Sequence, residues 1–396
     1  MDGSTRADPV PRARELVGDA AALAGEAARL AGDGERARRL PEPLVSALTT
    51  AGFFQLCVPA SLGGLEASAS ELVEVVEALA RGDGAPAWCI AVQATTGLMG
   101  AYLEPEAARE VFGDQGSVAG GVFAPRGRAV LGDDGELLVH GRWPFASGCE
   151  HSDWLVGGCV VEHAGEVRML PNGMPDICLV FAPASEVRIH DTWDVSGLRA
   201  TGSHDIEFDG LRIPAGRGAS VISERPREPG PLYCFPLFGL LALAIAGVSL
   251  GIARGALDDL VELAAAKTPT GSRRKLAERA TVQADVARAE AGLRGVRAHL
   301  FEAIAAAWEA ACADGEVSVE QRGALRLAST HAATTGAEVA ETAYRLAGAS
   351  AIYDSNPLQR RFRDAHVVTQ HMLVAPATWE LTGRILLGLE TDATQL

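Results

Sequence analysis

Gly141-Arg-Trp-Pro-Phe-Ala-Ser-Gly-Cys-Glu-His-Ser-Asp-Trp154 sits in the one clearly β-rich third of an otherwise Ala-rich, helical chain. Two Trp, a Phe, a Ser-Gly step and an Asp converge here, although aromatics make up only 5% of the protein. Aromatic faces beside hydroxyl and amide groups suit a flat ring with a polar edge. The Ser147-Gly148 step lets backbone approach such a ring closely.

Outward from this stretch, residues 128–140 read as strand, Gly132-Asp-Asp-Gly135 turn, strand, with Asp-Gly as the hairpin signal. Short β-favouring runs follow at 154–161, 177–181, 187–190, 204–208 and 211–213. Gly, Pro and Asp separate them, and the spacing predicts a barrel or sandwich. Between 10 and 112, apolar residues recur every three or four positions, which predicts helices. Gly63-Gly64 and Gly82-Asp-Gly84 interrupt them as turns. Predicted helices return over 237–263, 283–313, 317–346 and 359–387, with the length and Ala content of a bundle. The fold class is therefore α+β and multidomain. It comprises an N-terminal α-helical domain (1–115), a middle β domain (116–225) and a C-terminal helical bundle (226–396).

The 396 residues suffice for two or three domains with a substantial core. The net charge of −16 argues against nucleic-acid and anionic-membrane partners, both of which need a basic footprint. Seven scattered Cys without a CxxC pair predict free thiols in a reducing cytoplasm. The first nine residues have no apolar core, so no secretory signal is expected. The apolar run 237–252 is shorter than the roughly 20 residues a membrane span needs, and reads as a buried helix. No metal-ligand spacing, Gly-rich phosphate turn or Ser-His-Asp arrangement stands out, so no metal is expected.

The order of α domain, β domain and α bundle resembles the acyl-CoA dehydrogenase superfamily of flavoproteins, which implies an N-terminal helical domain, a middle β-barrel over 116–225 and a C-terminal four-helix bundle over 226–396. Four segments carry the resemblance, in the right order. They are 141–154, Asp191-Thr-Trp-Asp-Val-Ser-Gly-Leu-Arg-Ala-Thr-Gly-Ser-His-Asp-Ile-Glu-Phe208, Tyr344-Arg-Leu-Ala-Gly-Ala-Ser350 and Arg360-Arg-Phe-Arg-Asp-Ala-His366. A dehydrogenase of this superfamily needs a carboxylate to take the substrate's α-proton. Counting on from Arg363-Asp-Ala365, one slot for it falls at Met372, and no Glu or Asp occurs between 366 and 378. Counting back from Leu250-Gly251, the other falls at Leu241, among apolar residues.

His366-Val-Val-Thr-Gln-His371 stands where the base would be. The pattern is similar to the superfamily's flavin-dependent two-component monooxygenases. That resemblance implies an oxygenase component taking reduced FAD or FMN from a separate flavin reductase. It would form a C4a-hydroperoxide with O2 and oxidise C, N or S of a small organic substrate. A homotetramer is implied. Two other readings stay open: a flavin dehydrogenase or oxidase with an unusual base, and a non-catalytic family member.

The resemblance implies that Trp143, Phe145, Ser147 and Gly148 form a flavin wall, with Ser147 donating near N5 or the C4 carbonyl. Thr201, Gly202 and Ser203 would serve flavin ring edges or a substrate; the plain alternative is a hydrogen-bonded turn. His371 would stand over the flavin as a base or hydrogen-bond partner, which imidazole suits. If the helix were continuous, His366 would lie about 140° from it. Arg273 and Arg274 are candidates for a flavin phosphate, and Gly348 and Ser350 for a phosphate or ring edge. Trp88, Gln93 and His366 are candidates for the substrate cavity, with core packing as the alternative. Arg363 and Asp364 read as a structural ion pair.

Overall fold

The computed structural model describes residues 9–220, 223–313, 315–394 and 396. The opening segment read for a secretory signal lies, over 1–8, outside them. Five helices come first: α1 (Pro9–Ala37), α2 (Glu42–Thr50), α3 (Ala69–Ala80), α4 (Gly84–Thr96) and α5 (Pro105–Phe112). A capping box starts α3: Ser68 Oγ accepts the Glu71 N–H, and the Glu71 carboxylate accepts the Ser68 N–H. The α4 helix is apolar on all sides, and twelve of its thirteen residues are buried. It is a core helix, packed against α3, the sheet and a C-terminal helix.

Eight strands follow: β1 (Ala119–Leu131), β2 (Glu136–Ala146), β3 (Trp154–His163), β4 (Glu166–Val167), β5 (Ile177–Pro183), β6 (Arg188–His190), β7 (His204–Pro214) and β8 (Gly218–Ala219). Their order is β6-β7-β2-β1-β3-β5-β8, with β4 beside β3. The expected hairpin joins β1 to β2, and its Gly135 takes φ +78°. The runs 204–208 and 211–213 form one strand, β7, with a bulge at Gly210, φ +69°.

The expected closed barrel is not formed. Edge strands β6 and β8 are three and two residues long and do not pair with each other. Closure requires a continuous ladder between the two edges, and these are too short to provide it. The sheet nevertheless curls: Val180 of β5 and Phe208 of β7, four places apart in the order, share one core with Trp143.

The chain ends in α6 (Pro231–Cys234), α7 (Leu237–Ala266), α8 (Ala280–Ala313), α9 (Val319–Ala347), α10 (Pro357–Val368) and α11 (Ala377–Leu386). The α7 and α8 helices pack on α9, and α10 lies against both α7 and α9. Among the described helices, α7 alone is long and apolar enough to cross a membrane, and 78% of that window is buried in the fold. The expected helix over 359–387 is broken in two. Thr369 Oγ1 turns back onto the His366 carbonyl at 2.7 Å, and Pro376 has no N–H to continue the helical ladder. His371 therefore lies in the break between α10 and α11.

Candidate active site

Strand β2 sends its two aromatic residues to different places. Trp143 points into the sheet core, is fully buried, and donates its indole N–H to the Gly158 carbonyl at 2.8 Å. Glycines make room for it: a Cβ on Gly127, Gly141 or Gly157 would come within 2.7 Å of the indole. Trp143 is thus a core residue and not the expected wall, because no ring face remains uncovered. Phe145, two positions on, would share that face in a regular strand. Instead its φ of +70° and a register shift between Trp143 and Ala146 turn it outward. Phe145 is 66% exposed and meets Trp193 edge-on, with ring centres 6.1 Å apart.

Behind this aromatic pair runs a buried line of hydroxyls. Trp88 of α4 donates its indole N–H to Ser147 Oγ at 3.0 Å. Ser147 Oγ lies 2.7 Å from Ser203 Oγ, and Ser203 Oγ lies 2.6 Å from Thr201 Oγ1. Thr201 Oγ1 donates to the Leu198 carbonyl at 2.8 Å. The structure therefore joins Trp88, Ser147, Thr201 and Ser203, drawn from three separate parts of the sequence. Gly202 is the turn between the last two, at φ +52°.

His371 closes the group from the C-terminal side, with its ring edge-on to Trp88 at 5.6 Å. Burial, with Arg326 nearby, pushes its pKa down to about 4, so the imidazole is neutral at pH 7. Nδ1 accepts the Leu373 N–H at 3.3 Å, which leaves the proton on Nε2. His371 thus offers a neutral N–H donor, and the expected role as a base does not fit this tautomer.

Gln93, expected in the substrate cavity, is a buried clamp instead. Its amide donates to Ser152 Oγ at 3.0 Å and to the Gly148 carbonyl at 3.4 Å, and Oε1 accepts from His151 Nε2 at 2.9 Å. Gly148 makes room for this contact: a Cβ there would lie 2.6 Å from Gln93. His151, held neutral by burial with a pKa near 4, was quoted in the opening stretch but given no role from sequence.

The loop carrying Trp193, Leu198 and Thr201 is anchored from several sides. His204 Nδ1 accepts the backbone N–H of both Thr192 and Trp193. Arg38, just after α1, pairs with Asp191 at 2.7 Å. Asp364 of α10 accepts the Leu198 N–H at 2.6 Å, and burial beside Asp83 raises its pKa to about 7. Arg363 bonds the Ser196 carbonyl and pairs with Glu35. Arg363 and Asp364 thus serve different partners and do not form the expected mutual pair. Sequence reasoning gave no role to His204 or Trp193, although both lie inside a quoted segment.

His366 packs edge-on to Phe362 at 4.5 Å, and Phe362 stacks on Tyr344; its buried Nε2 has no hydrogen-bond partner. It belongs to that aromatic group and not to the Trp88 line. Arg273 and Arg274 lie in the exposed loop after α7, and Gly348 and Ser350 in the 3-10 turn after α9. Lys267 ties these two loops together by donating to the Ala347 carbonyl at 2.6 Å. Met372, in one slot for a dehydrogenase base, is 60% exposed.

Two family models match the chain: the acyl-CoA dehydrogenase N-terminal domain over residues 13–107 and the C-terminal domain over 243–376. An indole-3-acetate monooxygenase of Pseudomonas putida is 34% identical over 359 residues, covering 89% of each chain. The oxygenase component of an FADH2-dependent resorcinol hydroxylase from a Rhizobium species is 28% identical, covering 95% of this chain and 94% of that one. XiaF from a Streptomyces species, solved in complex with FADH2 and glycerol, superposes over all of both chains with a TM-score of 0.90 and 26% identity. The chain belongs to the acyl-CoA dehydrogenase family, within its branch of flavin-dependent two-component monooxygenases, as an oxygenase component.

Proposed function

We propose that a reduced flavin, FAD or FMN delivered by a separate reductase, lies with its ring against Phe145 and the Ser147–Ser203–Thr201 line. The observation that carries this is that line itself: buried hydroxyls behind an outward-turned aromatic ring, with no carboxylate bonded to Trp88, Ser147, Ser203 or Thr201 among the described residues. Each hydroxyl oxygen has two lone pairs, so each can take a further contact from a polar ring edge. Bound reduced flavin supplies the electrons with which one atom of O2 enters the substrate and the other becomes water.

The chain's own residues bind, orient and dry the site. Gln93 and His151 fix the Ser147-Gly148 turn on α4. His371 directs its Nε2–H toward the reacting region, where it donates to developing oxyanion character. The buried faces of α4 and Trp88 exclude water. The substrate is a small aromatic acid or phenol; the relatives named for indole-3-acetate and resorcinol support that class.

The reading extends to assembly and location. The C-terminal helices act as a four-helix bundle at the centre of a homotetramer; exposed Leu386, Leu387, Ile352 and Tyr353 support burial between copies. Arg273, Arg274, Gly348 and Ser350, grouped through Lys267, hold flavin phosphate there. The seven free cysteines suit a cytoplasmic protein.

The test is oxygen uptake by the purified protein with indole-3-acetate. Uptake and hydroxylated product are expected only when reduced flavin or a flavin reductase is supplied. Tight retention of oxidised flavin, bleached by an acyl thioester, would overturn the reading.

A further inference from the structure

We propose that Thr201 and Ser203 are specificity-determining positioning residues that fix the Ser147 hydroxyl as an acceptor, so that the site distinguishes reduced from oxidised flavin. The inference rests on the flavin reading given above.

The direction of the hydroxyl line is set at its far end, where Thr201 Oγ1 makes the shortest of three contacts to the Leu198 carbonyl, the others being the Thr201 N–H at 3.1 Å and Trp193 Nε1 at 3.2 Å. The Leu198 carbonyl can only accept, so the Thr201 proton must point at it across the 2.8 Å contact. Thr201 then has no proton for Ser203, and the 2.6 Å contact between them must be filled by the Ser203 proton. Ser203 in turn has none for Ser147, so the Ser147 proton fills their 2.7 Å contact. At the near end, the Trp88 N–H occupies one Ser147 lone pair. Every proton is committed, and Ser147 has one lone pair left. The expected donation by Ser147 is thereby excluded, and Ser147 can only receive.

The rest of the loop keeps the terminal carbonyl in place. Leu198 takes a left-handed φ of +49°, with its N–H held by Asp364. Trp193 Nε1 also donates to the same carbonyl at 3.2 Å.

A reduced flavin carries a hydrogen on N5, whereas an oxidised flavin presents a lone pair there. With N5, one of the two flavin positions the resemblance implies for Ser147, opposite its free lone pair, a hydroxyl that can only accept pairs with the first and sets lone pair against lone pair with the second. An unmade bond of this kind in a buried site lowers affinity by about tenfold or more.

The experiment is direct binding without turnover: oxidised FMN and FAD titrated in air, reduced FMN and FAD titrated anaerobically. The wild type is expected to favour the reduced form by at least about tenfold. Thr201→Val removes the terminal donor without changing shape. Ser203 is then free to donate to Ser147, and Ser147 to donate outward. Ser203→Ala frees the Ser147 proton directly. Both variants are expected to gain affinity for oxidised flavin and to lower the preference several-fold. Thr201→Ser, which keeps the hydroxyl, should restore it.

Equal weakening of both redox forms in Thr201→Val and Ser203→Ala, or an unchanged ratio, would overturn the proposal. If one variant fails to fold, judged by its melting curve, the other decides. Ser147→Ala separates the two levels of argument. If it leaves binding of both forms unchanged, or if the wild type binds neither, the flavin reading itself fails and takes the inference with it. If it weakens binding while Thr201→Val keeps the wild-type ratio, only the inference fails.

Discussion

Trp143 and Trp88 are both buried indoles with a satisfied N–H, yet one ends in a wall and the other opens a line. The Trp143 acceptor is a backbone carbonyl inside the sheet, which passes nothing on. The Trp88 acceptor is a hydroxyl, which must place its own proton elsewhere. The sheet core is thus a structure of fit, where glycines are shaped around one ring. The α4–loop junction is a structure of direction, where each donor determines the next. A buried tryptophan marks a site here only where its partner can itself donate.

The largest effect comes from breaking the fit. Trp143→Ala is expected to cost about 3–5 kcal/mol in urea unfolding, since it empties the cage formed by Gly127, Gly141 and Gly157. A loss below 1 kcal/mol together with abolished flavin binding would reverse the roles assigned to the two indoles.

Next is pH. His151 and His371 are partly buried and neutral, both with pKa near 4, against about 6.5 when unfolded. The unfolded chain then binds more protons between pH 6.5 and 4, so stability falls as pH drops through that window and flattens below it. For each histidine the loss is on the order of 3 kcal/mol. His371→Asn should flatten part of this slope in melts taken from pH 7 to 4; an unchanged slope would show that His371 is not held neutral. The same shift means that turnover from pH 5.5 to 8 should lack an inflection that disappears in His371→Asn.

A smaller change sharpens the direction side of the comparison. Trp88→Phe keeps the ring but removes the N–H, at about 1 kcal/mol of stability. Product formed per reduced flavin consumed should fall more than this modest destabilisation explains. Smallest in stability is Phe145→Gly, which relieves the left-handed φ of an exposed residue and should shift unfolding by less than about 1 kcal/mol. Flavin binding should nevertheless weaken several-fold, and unchanged binding would remove Phe145 from the site.

The contrast also explains what could be read from sequence. Helix, sheet and helix were legible because apolar spacing and Asp133-Asp-Gly135 act over a few residues. The open sheet was not, since closure depends on whether two distant short strands meet. The sequence presents Ser147, Thr201 and Ser203 as flavin-side candidates and Trp88 separately, as a substrate-cavity candidate, because the bond joining Trp88 to Ser147 spans 59 residues, and it treats Trp143 and Phe145 alike. Their separation depends on one positive φ that no local signal announces. Gln93 was placed in the right neighbourhood with the wrong task, because its partners His151 and Ser152 lie 58 and 59 residues away. The single helix expected over 359–387 hid the break that gives His371 its Leu373 partner.

Leu198 is where three parts of the chain are tied: its N–H reaches Asp364, 166 residues later, and its loop reaches Arg38, 153 residues from Asp191. Such long separations make this junction expensive in loop-closure entropy and therefore late to form. During synthesis the sheet is complete well before α10 has been made. A chain arrested there would hold its curled sheet and its Trp143 cage, but the Leu198 N–H would lack its Asp364 acceptor. On the flavin reading proposed above, the loop beside the cofactor is thus fully anchored only once α10 has been made.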